Sequence, residues 1–434
     1  MAAYAGLAYA TPRAAFGLLL GLFAVAMLAY AWLMRSHLPW RWGVAAALGF
    51  RLLWLPAQPA LSDDVFRFHW DGLLVAHGVN PFRFRPDELI ADGARAALPN
   101  AAQRAVVLPK LQQLYGKLNS PHYYSVYPPV CQVVFGIAAR WFPASDAGFA
   151  VCLRACILLA ELAAGWLLLA LLRTYSAPPE RALRYLLHPL VIVELTGNLH
   201  FEGLVFCFVL LMLWLLSRGR WAGAAAALGL GMATKLVPLL ALPLLVRRLG
   251  WPRFVTFAAL SIGVFAALFG PFITSELLVN ISRSLVLYFR NFEFNASIYY
   301  MLRPIGYWLT TYNQIAHLGP ALALVAGCIG LAVAWHERRP SLAGLPGTML
   351  LMLTAYYALA TTVHPWYLTL LIGLSSLSRF RFPLVWGGMA VLSYSAYRSS
   401  AYTESLWLLG LEYAVVYAVL AWELNFVPAD RLKA

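Results

Sequence analysis

Apolar runs of membrane-spanning length recur along this chain, and no other feature of the sequence limits its fold so strongly. Residues 14–34, 254–272 and 318–335 each come close to the ~20 apolar residues that a helix needs to cross a bilayer. Charged residues make up only 12% of the chain and apolar residues 62%, whereas a soluble domain carries about a quarter charged residues. Too little polar surface is left to cover a water-soluble globule. The expected fold is therefore all-α: a polytopic transmembrane helical bundle of about 12 to 14 membrane segments, forming one membrane-embedded domain over residues 1–434. Several segments are too short to cross alone. The pairs around Gly197 and Lys235 read as broken or re-entrant helices, which are allowed where they line a cavity. The first apolar run is followed by Arg35 and Trp40 rather than a small-residue cleavage site, so it reads as a retained helix.

A formal charge of +14 raises the question of nucleic acid, and its distribution answers it. The basic residues sit in short hinges between apolar runs, such as Arg35 and Arg41, Arg247 and Arg248, Arg338 and Arg339. Short Lys/Arg-rich loops of this kind stay cytoplasmic and touch anionic lipid. Membrane lipids, and not nucleic acid, are the expected partners. This orientation sends residues 60–125 to the outer face, together with residues 273–316, the neighbourhoods of His200 and His364, and the loop from Tyr394 to Glu404. The parity fails once, between residues 126 and 184, where segment 126–142 is the one expected not to cross fully. The five cysteines lie in apolar segments without CxxC spacing, so neither a disulfide framework nor a zinc site is expected.

Two loops are too long to be connectors. The first, 60–125, is an outer loop expected to carry juxtamembrane helices, and it holds six of the 18 acidic residues: Asp63, Asp64, Asp71, Asp87, Glu88 and Asp92. If its start is helical, Asp63 or Asp64 shares a face with Arg67, and Arg67 with Asp71. Aromatic residues between these charges favour a partly buried segment over a solvated helix cap. The second loop, 273–316, carries Arg290 and Arg303. Ionisable residues within membrane segments are costly unless paired or facing a cavity, and Arg51, Arg154, Glu161, Glu194, Glu202 and Lys235 all stand out. For Arg154 and Glu161, seven residues apart on one helix, a structural ion-pair network weighs at least as much as a functional role. Lys235 lies at the break between two short helices, where an ammonium can meet an anionic headgroup. His200 and His364 fall at outer helix ends on the same face as Asp63. No phosphate-cradling GxxxxGK[ST] or GxGxxG loop occurs, so a cytoplasmic nucleotide-sugar site is not expected.

These residues, in this order, resemble a family. An acidic motif after a membrane helix (Asp63, Asp64, Asp71) is followed by Gly78, Asn80, Pro81 and Phe82. Then come Tyr127-Pro-Pro-Val130 with Gln132, Pro189-Leu190 with Glu194 and Asn198, Lys235 to Pro238, and His364-Pro-Trp-Tyr367. The chain is similar to the GT-C superfamily of integral membrane glycosyltransferases, and most of all to bacterial polyprenol-phosphate-mannose-dependent mannosyltransferases. The resemblance implies an inverting hexosyltransferase that moves mannose from a polyprenyl-phosphate donor to a lipid or glycan acceptor. Asp63 would be the general base, with Asp64 second. Lys235, His364, Arg290 and Arg303 would hold the donor phosphate, and Arg67, Asp71, Tyr127, His200, Glu202 and Tyr367 would bind substrate. No cofactor and no metal are expected, because Lys and Arg can match a monophosphate. The implied setting is a bacterial inner membrane with the site facing the periplasm. A lipid-linked sugar flippase, or a related enzyme using another sugar, is the competing reading; a transporter would concentrate its charges at midplane rather than in one outer loop.

Overall fold

The computed structural model describes residues 1–36, 38–337, 339–399 and 402–426, and each apolar run read from the sequence is helical over most of its length. Arg338 of one basic hinge lies outside the described residues. Among the described residues there is no strand, and the one isolated backbone bridge joins Phe294 to Thr362 in parallel. The protein is an all-α polytopic bundle, and its long apolar helices make it an integral membrane protein.

The helices fall into two groups. Five are long and apolar enough to cross a bilayer: Phe16–Arg35, Asp146–Thr174, Trp251–Phe272, Ile315–His336 and Leu406–Phe426. A sixth span is available if Pro189–Gly197 and Glu202–Ser217, bent by 113°, count together. Most of the other expected segments, among them Trp221–Met232, Leu345–Leu359 and Pro365–Ser375, are too short to cross alone. Helix Pro129–Trp141 has 13 residues, roughly 20 Å at the usual rise. That is short of the hydrocarbon thickness and fits the break in parity between residues 126 and 184. The long helices expose large apolar side chains such as Trp32, Trp166, Trp251 and Trp335, while Leu368 to Ser375 are buried throughout. Short, irregular backbone belongs in the protein interior, where neighbouring groups complete its hydrogen bonds.

The break at residues 198–201 shows how. Helix Ile192–Gly197 is wound as a π-helix, and Leu199 takes φ 65°. The carbonyls freed there are met by Arg154, which donates to Thr196 O at 2.7 Å, Gly197 O at 3.2 Å and Leu55 O at 2.7 Å. Arg154 thus caps backbone and does not pair with Glu161. The ion pair that does form is Arg51–Glu161, at 2.8 and 3.0 Å, with Thr196 Oγ1 adding a third bond at 2.8 Å. A structural network was expected at this level, and the third member supplied by Arg51 sits on helix Trp40–Leu52.

The first outer loop is not a free loop. Its start forms helix Asp64–Ala76, with Arg67, His69 and Asp71 buried. This helix crosses Pro129–Trp141 so closely that a Cβ on Gly72 would stand 2.4 Å from Phe135 O, and one on Gly136 would stand 2.6 Å from Val75. Glycine at both positions lets the backbones touch and holds the helix rigidly against the bundle. Further along, helix Ala101–Tyr115 is tied down by Lys110, which reaches Asp146 at 2.7 Å, and Lys117 just beyond the helix reaches it at 3.1 Å.

Candidate active site

A cleft of about 640 Å³ opens where the start of helix Asp64–Ala76 meets the two ends of the chain. Such a volume lies within the range of small-molecule sites. One wall holds Ser62, Asp63, Asp64 and Arg67, with the segment 119–127 beside it. The other wall is made of Ser284, Asn291, Phe292, His364, Trp366 and residues 397–399 with Tyr402, and Arg13 and Ala14 complete the mouth.

Asp63 and Asp64 both line this cleft, in different surroundings. Asp63 forms an ion pair with Arg13, Nη2 to Oδ2 at 2.8 Å. Asp64 accepts a hydrogen bond from Asn119 Nδ2 at 3.2 Å. Burial raises the Asp64 carboxyl above its ordinary value, against the lowering effects of that hydrogen bond and of the Lys235 charge. One carboxylate is therefore engaged by a guanidinium, and its neighbour has an enhanced affinity for a proton.

Arg67 and Asp71 form the expected i,i+4 pair at 3.0 Å. Asp71 is fully buried and also accepts from Ser125 Oγ at 2.5 Å and Gln132 Nε2 at 3.1 Å. Arg67 Nη1 donates to Ser120 O at 3.2 Å and Tyr123 O at 3.0 Å. The pair thus shapes the 120–125 segment of the cleft wall. Arg67 Nη2, although buried, has no partner among the described residues. Tyr127 lines the cleft with its ring edge-on to Phe68 at 4.9 Å.

The two histidines flank Trp366, His200 stacking at 3.8 Å and His364 at 4.3 Å between ring centroids. Only His364 and Trp366 reach the cleft; His200 lies behind, 3.5 Å from Glu194. Burial, reinforced by the Lys235 charge, pushes the His364 imidazole down to about 3. The ring is neutral at physiological pH, so it can serve a phosphate or a hydroxyl through a hydrogen bond and not through charge. Its Nδ1 is buried without a partner.

Lys235 does not line the cleft. Its ammonium is ion-paired with Glu202 and stands 4.1 Å over the ring of Tyr367. Glu202 therefore serves first as a counter-ion, and Tyr367 as a cation–π partner. Arg290 is exposed at the end of helix Leu277–Asn291. Arg303 is paired with Glu293 at 2.5 Å and lies 4.6 Å over the Tyr300 ring. Neither of these two arginines lines the cleft.

Sequence reasoning missed Arg13, Asn119, Tyr397, Arg398 and Tyr402. Arg13 and Arg398 look like ordinary topology charges, and no local pattern reveals that they line one cleft. Among the described residues no group of three or more His, Cys, Asp or Glu side chains is placed to hold a metal ion. A family model described as Alpha-(1->6)-mannopyranosyltransferase, N-terminal domain, matches residues 3–250. That stretch carries the acidic wall and Lys235 and stops short of His364 and Arg398. No protein of curated function matches the chain.

Proposed function

The match spans more than half of the chain, so the protein belongs to the alpha-(1->6)-mannopyranosyltransferase family, and from that premise we propose an inverting transfer of mannose from a polyprenyl-phosphate donor. The acceptor is a hydroxyl of a lipid or glycan, a primary 6-hydroxyl by the linkage in the family's description. Inversion to an α-linked product requires a β-linked mannosyl phosphate.

In this reading Asp64 removes the acceptor proton as the oxygen attacks C1. The new C1–O bond forms while the C1–O bond to phosphate breaks, and the polyprenyl phosphate departs with the electron pair. A phosphate leaving group needs no general acid, so one carboxylate base suffices, unlike in the two-carboxylate glycosidases. We assign the base to Asp64 rather than to Asp63, the first choice from sequence. Asp63 is occupied by Arg13, whereas Asp64 is free of any ion pair among the described residues and burial raises its proton affinity. Arg67 Nη2, a donor, and His364 Nδ1, a donor or an acceptor according to its tautomer, are buried without partners among the described residues and can serve the sugar or its phosphate; an unpaired buried polar atom is otherwise costly. Lys235 contributes positive potential from behind Asp64. No metal is required for a monophosphate donor.

The basic hinge at Arg35 and Arg41 supports a cytoplasmic side opposite the cleft, hence a site on the periplasmic face of a bacterial inner membrane. The observation that carries the proposal is Asp64 lining a cleft together with Arg67 and His364, in a chain of this family. The test is transfer of label from polyprenyl-phosphate mannose by purified protein. Asp64→Asn should lower kcat by about 10²–10⁴ while the protein stays folded, with Asp63→Asn less affected. Wild-type turnover in Asp64→Asn would remove it from the mechanism.

A further inference from the structure

Of the three arginines that line the cleft, two are already matched to carboxylates. Arg13 pairs with Asp63, Arg67 with Asp71, and Lys235 with Glu202. Arg398, the third arginine lining the cleft, has no carboxylate partner among the described residues. A donor phosphate brings a negative charge, and an unmatched guanidinium can meet it without breaking an existing pair.

The geometry of the two arginines at the mouth strengthens the point. The Arg13 guanidinium lies 4.4 Å over the ring of Tyr397, and that of Arg398 lies 4.6 Å over the ring of Phe16. Each end of the chain thus offers an arginine to an aromatic ring of the other. Stacking covers a face of a guanidinium and leaves the in-plane N–H donors free for a bidentate oxyanion. Arg13 already uses that edge on the Asp63 carboxylate. Arg398 has the same mounting with its edge unclaimed.

We infer that Arg398 receives the phosphate of the lipid-linked donor, and keeps it as the leaving group departs. This rests on the polyprenyl-phosphate reading above. It places phosphate recognition on a segment outside the matched residues, and away from the Arg290 and Arg303 expected from sequence. The chemistry recognised is a lipid-borne phosphate, which an anionic phospholipid headgroup also carries, so the test must separate the two.

The experiment measures transfer from polyprenyl-phosphate mannose in zwitterionic lipid, with undecaprenyl monophosphate or phosphatidylglycerol as inhibitor. Arg398→Gln should raise the donor KM and the inhibition constant of undecaprenyl monophosphate at least tenfold. Its kcat at saturating donor should change less, and Arg398→Lys should recover part of the loss. Unchanged thermal unfolding in both variants shows that the fold survives; where Arg398→Gln unfolds, Arg398→Lys and Phe16→Leu, which removes only the stacking ring, carry the same KM test. Phosphatidylglycerol should inhibit wild type and variant equally weakly. Wild-type KM and inhibition in a folded Arg398→Gln overturn the assignment, and so does phosphatidylglycerol that competes as well as undecaprenyl monophosphate only when Arg398 is present. A wild type with no turnover of polyprenyl-phosphate mannose instead overturns the donor reading beneath it.

Discussion

Two groups of buried polar side chains lie in this protein, and they differ in how completely they are satisfied. In the bundle interior, Arg51 donates to both oxygens of Glu161 and to the carbonyls of Ala47 and Leu186, so each guanidinium nitrogen has a partner. Arg154 is spent on two carbonyls at a helix break and on Leu55 O. At the cleft, Arg67 and His364 are as deeply buried, yet each keeps a nitrogen without a partner. A charge whose hydrogen bonds are complete explains a fold. A buried donor left open points to a ligand, because an unfilled donor costs on the order of 1–3 kcal/mol unless something else fills it.

The contrast can be broken at either end. The largest effect belongs to the saturated group: Arg51→Ala strands Glu161 in the interior and should cost about 3–5 kcal/mol of stability, read as lost folded yield or a lower unfolding temperature. Turnover per folded molecule should persist, and a stable but inactive variant would show that the interior pair serves the chemistry. Gly72→Ala comes next. Its Cβ meets the Phe135 carbonyl, and shifting the helix should cost about 1–3 kcal/mol, with kcat falling because Asp64 rides on that helix. Normal stability together with normal kcat would mean that the contact between the two helices is slack.

His364→Phe sharpens the other side. The ring keeps its stacking on Trp366 but loses its hydrogen bonds, so unfolding should be unchanged while kcat/KM drops roughly tenfold, the worth of one such bond. Unaltered kinetics would reassign His364 to packing. The smallest effect is on pH. Asp64 must be ionised to act, so activity is present above its pKa and lost below it. Burial raises that pKa, so the acid limb of kcat/KM should lie above the ~3.9 of an ordinary aspartate. A limb at or below that value would remove Asp64 as the base.

Much of this was legible in the sequence. Helices could be placed because apolar length is a local property, and the helices bear it out. The acids at 63, 64 and 71 stood out because charges set among aromatics after a membrane run are costly without a purpose. The Arg67–Asp71 pair followed from helical spacing alone. Less legible was what each cation would touch. Lys235, Arg290 and Arg303 were reasonable phosphate ligands on charge and on the expected face, but the folded chain gives Lys235 to Glu202, gives Arg303 to Glu293, and leaves Arg290 off the cleft.

The sequence by itself determined the solvent and the element type. A chain this apolar must sit in lipid, and its continuous apolar runs must close their hydrogen bonds as helices. It also marked the acidic stretch where chemistry is expected. Only the tertiary structure decided which charges neutralise one another and which remain open. It brought Arg13, Tyr397 and Arg398 from opposite ends of the chain to one mouth beside Asp63 and Asp64. The physical reason is range: helix formation depends on neighbours a few residues away, whereas the pairing of a buried charge depends on whatever long-range packing sets within about 3 Å of it.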